Sequence, residues 1–466
     1  MRALTFLALV ACGDDTMAVP DAAPLEPDAM IECDRSRTPD PDPAFEALLV
    51  RLEQRMMSES VPGLGFAVLD SGTVVKRATL GKRESGSCDP FTTKTRIRLG
   101  RPARTLVSVA TLVAAAEGKL SLDAPVTSYL TGFHVTNGDA SAITIRMLLE
   151  HSAGLYVPRF MSQCPAQDLV GYWSSVDASL EFAPGAALAS YDEELSLLGA
   201  VLSSVYAMPY RDVIQGKLFA PLGMAATYDH EAFLLGEHGR GGVQLEDPPP
   251  CAAWEPVHQV YVSLDDMIAL ATFLTVGNPA VLSSADLALV HDAGARFFAK
   301  EYSTGYGLQS LPYDVDGTRL YFTDGDVART GGEIDYFADG FTVVFLENQG
   351  SCTYCFTDVI IEALSSHRFH EWLTPLPVTR FGEYVGTWVD TVSQPARTLT
   401  IAFDGDTLEG TYNGLAATFS PWGEDSFEVA LFGHSDRVRF WRDGDDTPQI
   451  LTNQLGNLGA AFHRAP

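Results

Sequence analysis

The chain has 466 residues, 46% of them hydrophobic, and its 60 acidic against 31 basic residues leave a formal charge of −29. That length supports two domains, or one large domain with an appendage, and the composition is that of a chain that buries a core. The negative charge repels nucleic-acid backbones and anionic membrane surfaces, which excludes a nucleic-acid partner.

Taken in chain order, residues 1–12, "MRALTFLALVAC", combine a basic start, a short apolar run and a small residue before a cysteine. This reads as a signal peptide, and the run is too short to span a bilayer as a mature helix. Leu9-Val10-Ala11-Cys12 resembles a bacterial lipobox, so lipidation at Cys12 and a bacterial envelope location, lipid-anchored or periplasmic, are expected. Residues 13–43 form a Pro/Ala/Asp-rich tether that cannot bury a core. With Cys12 set aside, Cys33, Cys88, Cys164, Cys251, Cys352 and Cys355 are an even number in a chain read as exported, so disulfides are the default. Cys352 and Cys355 suit a local bridge better than a redox pair or half a metal site, and no metal site or cofactor is expected.

An amphipathic helix over residues 44–58 precedes two β-like runs, "GLGFAVLD" and "TVVKRATL", joined by a turn at Asp70-Ser71-Gly72. The stretch from Arg101 to Leu289 is mostly helical in pattern; "FTVVFLEN" then supplies a late strand and "TDVIIEALSSHRFHEWL" a closing helix. Strands from both ends flanking a helical middle predict an α+β fold, an antiparallel sheet between helices. From about residue 380 to 466 short alternating segments with DG and NG turns predict a small antiparallel barrel as a second domain after a first one over 44–375.

The segment "TRIRLGRPARTLVSVATLVAAAEGKLSLDAPVTSYL" resembles the central-helix region of class C β-lactamase-related serine hydrolases and penicillin-binding-protein-like esterases. "ITIRMLLEHSAGL", "FAPGAALASY", "LFAPLGM", "YVSLDDMIALATFL", "GYGL" and "RTGGEIDYF" follow in the family's order, from about Ala44 to Leu373, and the last part resembles a lipocalin-like barrel found on some members. The resemblance implies three motifs in one pocket: Ser-x-x-Lys giving nucleophile and base, Tyr-x-Asn for proton transfer, and Lys- or His-x-Gly for carboxylate binding and part of the oxyanion hole.

Carried over residue by residue, Arg101 stands at the serine and Arg104 at the lysine. Tyr191 matches the tyrosine, Glu193 replaces the asparagine, and Arg329 takes the cationic place before Thr330 and Gly331, with the backbone of Arg101 and Gly332 at the oxyanion hole. A guanidinium, with a pKa above about 12, cannot accept a proton at neutral pH, and Arg101 offers no attacking oxygen or sulfur. Acyl-enzyme chemistry is therefore not expected, and Ser108, one turn on, reads as a packing residue rather than a displaced nucleophile. His151 and Asp265-Asp266 read as a packing histidine and a helix cap.

Two cationic residues at a helix N-terminus call for compensation. Pairing of Arg101, Arg104 and Arg329 with Asp192 and Glu193 is favoured over a site for a carboxylate or phosphate formed by Arg101, Arg104, Tyr191, Arg329 and Gly332. The expectation is a β-lactamase-like pseudoenzyme of the envelope that binds a peptide, a peptidoglycan fragment or a protein partner and touches membrane only through its anchor. The alternatives are an active esterase or D-peptidase with another nucleophile, and a purely structural lipoprotein.

Overall fold

The computed structural model describes residues 37–84, 87–157, 160, 168–189, 192–235, 239, 251–291, 303–327, 330–349, 353–370, 376–390, 392, 396–423, 425–431, 434–442, 447–453 and 461–465. Cys12, Tyr191, Arg329 and Cys352 lie outside these, as do the signal peptide and most of the tether. Two compact units emerge: residues up to 110 with 211–287 and 313–370, and residues 111–210 with 288–312 and 371–466.

In the first unit Asp42 accepts hydrogen bonds from the N–H groups of Ala44 and Phe45 and so caps the helix Pro43–Ser58, whose proline sits where no N–H is needed. Arg37, at the end of the predicted tether, donates to Glu46 at 2.8 Å and to Glu53 at 3.1 Å, which fastens that end to the helix. The strands Gly63–Asp70 and Thr73–Gly81 form the expected hairpin, with Ser71 and Gly72 at φ +49° and +79° as a tight two-residue turn requires. An antiparallel sheet follows in the order Thr73–Gly81, Gly63–Asp70, Phe341–Glu347, Thr330–Phe337, Arg319–Val327.

Seven of the eight residues of Gly63–Asp70 are buried, because both faces of the sheet are covered. Side chains alternate along a strand: Phe66 meets Phe45 of the first helix at a ring distance of 6.0 Å, whereas the Cα of Gly65 faces Phe91 and Leu264 of the helix Leu264–Val276. That second helix starts with the expected cap, a reciprocal box in which Ser263 and Asp266 bond each other's backbone. The closing helix is shorter than its sequence pattern, Thr353–Leu364. Ser365 Oγ turns back onto the Ile361 carbonyl at 2.7 Å, and His367 is held between Asp314 and Asp339 and stacked on Phe337.

The second unit contains the helices Ile145–Leu149, Leu169–Trp173 and Asp192–Tyr206, and a closed eight-stranded barrel from Gly386–Val389 to Phe462–Arg464. Closure comes from pairing of the barrel's first and last strands, Trp388 opposite Arg464. The Asn413-Gly414 turn, both residues at positive φ, joins two of its strands as the NG pair predicts. Aromatic side chains fill the interior: Trp388, Phe419, Phe427, Phe440 and Phe462 pack with Phe381 and Tyr384 of the turn of 3-10 helix Val378–Tyr384. Arg442 ties that helix down, donating to Glu383 and to Asp425 at 2.6 Å each. Cys88 and Cys355 each take part in a disulfide, not with one another. Cys251 corrects the expectation that every remaining cysteine is bridged: it is a free, buried thiol.

Beneath the sheet, burial raises the Asp358 carboxyl from 3.8 to about 6, against the opposing effect of the Tyr313 hydroxyl that donates to it at 3.1 Å. The folded state therefore holds this proton more tightly than the unfolded chain, so stability falls as pH rises from about 4 to about 6 and the deficit persists above that window. Asp358→Asn keeps an acceptor for Tyr313 without the charge. It is expected to raise stability near neutral pH by up to about 3 kcal/mol and to change it little below about pH 3.5; urea unfolding at the two pH values checks this, and equal changes at both would refute it.

Candidate functional site

The approach to Arg101 is fixed by the sheet and its neighbours. The short strand Ile97–Arg98 pairs with Tyr261–Val262, and Leu99 N–H donates to the Val260 carbonyl at 2.9 Å. Thr330 Oγ1 donates to the Arg98 carbonyl at 2.6 Å, and the buried Arg98 guanidinium donates to the His258 carbonyl at 3.0 Å. Gly100 at φ +73° then turns the chain. Three successive N–H groups, of Ala103, Arg104 and Thr105, each bond the carbonyl three residues earlier, which forms a tight entrance to the helix Ala103–Ala116. Arg101 thus sits in the turn before the helix rather than in its first turn, and Arg104 is its second residue.

This turn rests on a pair of glycines. Gly332 on the strand Thr330–Phe337 lies opposite Gly325 on Arg319–Val327. A methyl group on Gly332 would lie 2.7 Å from Leu99 Cδ1, and one on Gly325 would lie 2.5 Å from Arg101 Cβ and within 3.2 Å of its Cγ and Cδ. Leu99 and Arg101 therefore lie against the backbone of two hydrogen-bonded strands at the one place where neither carries a side chain. One turn into the helix, Thr105 Oγ1 meets Thr323 Oγ1 at 3.3 Å, a further tie to the same strand. The structure thus brings the first-motif turn onto the third-motif residues Thr330 and Gly332. Arg101 and Arg104 are half-buried, and among the described residues Arg101 has no ion-pair partner. Ser108 is 1% exposed, so its hydroxyl is closed off from solvent.

The second-motif helix, Asp192–Tyr206, opens with three acids, of which Asp192 is half-buried and Glu193 and Glu194 are buried. Glu193 Oε1 faces the Val157 N–H at a long 3.5 Å. Glu194 is inaccessible: burial holds its carboxyl well above the ordinary range, while the backbone N–H groups of Leu155, Gly154 and Ala153 oppose that rise. His151, in the left-handed region at φ +56°, places Nδ1 3.4 Å from Glu194. His151 is therefore part of the packing under this motif, as its sequence context implies. Glu194 escaped sequence reasoning: the acidic first turn is a visible signal of a helix N-terminus, but which acid turns inward is set by the loop 153–155 that lies over it.

No group of three or more His, Cys, Asp or Glu side chains suited to a metal occurs among the described residues, and no described helix is long and apolar enough to cross a membrane.

Gly325→Ala is expected to lower stability by about 1–3 kcal/mol, since its Cβ overlaps Arg101 Cβ and its φ of +153° is unfavourable for an L side chain. Arg101→Gly in the same chain should recover part of that loss and Arg101→Ala none, because alanine keeps the clashing atom. Urea unfolding of the two double variants decides it: equal recovery by both would show that the contact is not the cause.

Comparison with known proteins places this geometry. The beta-lactamase family model matches residues 49–350, from the first helix through the last strand of the sheet. Penicillin-binding protein 4 of Amycolatopsis lactamdurans is 25% identical over 344 residues, covering 67% of this chain and 88% of that protein. Esterase EstB of Burkholderia gladioli is 28% identical over 222 residues, 44% of this chain and 54% of its own length, so the chain spans about half of that relative. Among solved structures, the octameric penicillin-binding protein homologue of Pyrococcus abyssi superimposes with a TM-score of 0.62 at 18% identity, covering 87% of this chain and 97% of the other, which is a likeness of fold. With the match running through the turn that bears Arg101 and the paired glycine strands, the chain belongs to the beta-lactamase family of penicillin-binding-protein-like serine hydrolases.

Proposed function

We propose that this protein is a non-hydrolytic member of its family that binds the carboxylate end of a peptide or cell-wall fragment, and that it is exported and anchored through Cys12. The observation that carries the reading is the pair Arg101 and Arg104 at the positions where the family has its nucleophile and base. A guanidinium holds its proton throughout the working pH range and has no lone pair to attack a carbonyl, so the first step of acyl transfer has no agent. Thr105 and Ser108, the hydroxyls that follow in the helix, are both buried.

What a guanidinium does well is hold a carboxylate through charge-assisted, often paired hydrogen bonds. Arg101 suits that role: its stem is braced on Gly325, and among the described residues it has no carboxylate of its own. This favours the anion-binding reading over the internal pairing that sequence reasoning preferred. Arg104, and Arg329 before the glycine strand, would add charge, as the resemblance implies. Export rests on the N-terminal pattern of basic start, apolar run and Cys12, on the acidic charge of −29, and on the two bridged cysteines, Cys88 and Cys355.

Incubation of the full chain with a fluorescent penicillin and with activated esters is expected to give no covalent label and no turnover. Calorimetry with N-acetyl-D-alanyl-D-alanine is expected to give saturable binding that Arg101→Ala weakens about ten- to hundred-fold, the range for loss of a charged hydrogen bond. A stoichiometric label, or equal affinity in the Arg101 variant, would overturn the reading.

A further inference from the structure

The segment that leads into the first helix reads Arg37-Thr38-Pro39-Asp40-Pro41-Asp42-Pro43. Alternate prolines fix φ and carry no N–H, so the segment is stiff and loses little entropy on ordering. Its backbone donors after Arg37 are the N–H groups of Thr38, Asp40 and Asp42. The Asp40 N–H donates to Glu46 Oε2 at 2.7 Å and the Asp42 N–H to Asp40 Oδ1 at 2.8 Å. Asp42 caps the helix with one carboxylate oxygen and accepts Lys76 Nζ on the other at 2.7 Å, and Lys76 lies 4.6 Å from the centre of the Phe45 ring.

Arg37 closes this loop of bonds. Its guanidinium makes a two-pronged pair with Glu46, Nη1 to Oε2 at 2.5 Å and Nη2 to Oε1 at 2.8 Å, and Nε donates to Glu53 Oε1 at 3.1 Å. Glu46 and Glu53, seven residues apart, share one face of the helix, so one side chain spans two of its turns. An isolated surface pair contributes little, but a bidentate fork within a network is the exception. The bonds from Arg37, and then from the Asp40 N–H, hold the Glu46 carboxyl down at about 2, so the pair stays charged across the ordinary pH range. Thr38, Pro39 and Pro41 are nonetheless exposed: this backbone lies on the surface and is held by carboxylates rather than by burial.

We infer that residues 37–42 form a strap latched by Arg37, and that the latch makes the Arg37–Thr38 peptide bond a gated processing site, withheld from proteases that recognise an arginine side chain. Such an enzyme takes the guanidinium into its own acidic pocket and needs the residues on either side drawn out. Here the guanidinium is already held by two carboxylates, and the chain five residues on is fixed at the helix cap. Hydrolysis adds water across the amide, leaves a carboxylate on Arg37 and an ammonium on Thr38, and separates everything before residue 38, Cys12 included, from the body. Release of the body from a membrane by this cut rests on the reading of Cys12 under Proposed function; the latch itself does not.

Trypsin digestion of the full chain, followed by intact mass, reads the rate at this bond against an acetylated peptide of residues 36–44. Cleavage follows the population of the opened strap, so the native chain is expected to be cut about a hundredfold more slowly than the peptide. Arg37→Lys keeps the charge and the protease's recognition but loses the fork; Glu46→Gln keeps an acceptor for the Asp40 N–H but loses the charge. Each is expected to speed the cut about tenfold relative to a peptide with the same change. Raising salt from about 0.05 to about 0.5 M should speed the cut in the native chain and much less in Glu46→Gln. If the urea midpoint of Glu46→Gln falls, the helix itself is weakened, and Arg37→Lys, which leaves both glutamates in place, carries the comparison. Equal relative rates in the native and Arg37→Lys chains overturn the latch, as does a native chain cut as fast as the peptide. If the full chain, made in a bacterium, is recovered outside the membrane fraction, the anchoring reading fails, and the cleavage rates still decide the latch.

Discussion

The arrangement in the first unit depends on one close approach: the backbone of the Arg101 turn lies on two paired strands where Gly325 faces Gly332. A residue with a side chain at either position would lift the turn off the sheet by more than the packing around it tolerates. Because that contact is made, Leu99, Arg101 and Thr105 are each registered against the strands: by van der Waals contact with Gly332, by contact with Gly325, and by the hydroxyl pair with Thr323. Position is thus inherited from the sheet, whose own register is enforced by burial on both faces. A slip of one residue would carry Phe66 from the first helix to the other side.

The chemistry at this place is a separate matter from its geometry. The frame that a serine and a lysine would need is kept, while the side chains on it are guanidiniums. In water a cation at a helix entrance is mildly disfavoured by the helix dipole, and this term is worth well under the cost of burying an unpaired charge. Arg101 is half-buried, and its stem is packed on glycine. Glu194 shows the contrary solution in the second unit. It is fully enclosed, so burial pushes its carboxyl well above the ordinary range, against three backbone N–H groups, with His151 beside it. Exposure, more than residue type, separates a charge that can meet a ligand from one that only holds the fold.

Much of the fold was legible because its signals are local. The Ser71-Gly72 and Asn413-Gly414 turns, the Ser263–Asp266 cap and the alternation of the barrel strands each lie within a few residues of sequence. The ordered run of family-like segments marks the turn that carries Arg101 and the strand that carries Gly332. What escaped was decided by distant partners. Gly325 looks like any glycine between two aspartates until Arg101 is laid on it. The end of the last helix depends on Asp314 and Asp339 gripping His367 from 53 and 28 residues away. The compact units interleave the chain, and in the second of them the barrel packs against Glu181–Ala189.

Those contacts also bear on why a barrel accompanies this scaffold. An eight-stranded barrel is just wide enough to be filled by its own side chains, and here Trp388, Phe427 and Phe440 meet edge to face in its centre. Interior volume is thereby converted into stiffness. A stiff wall is of use where a neighbouring segment has no regular structure, since each hydrogen bond that it gives costs little further ordering on the barrel's side. Glu181–Ala189 is such a segment, bonded to the barrel through the Ala461 N–H, His463 and Thr452. Within the second unit the barrel therefore acts through the conformation it imposes on Glu181–Ala189.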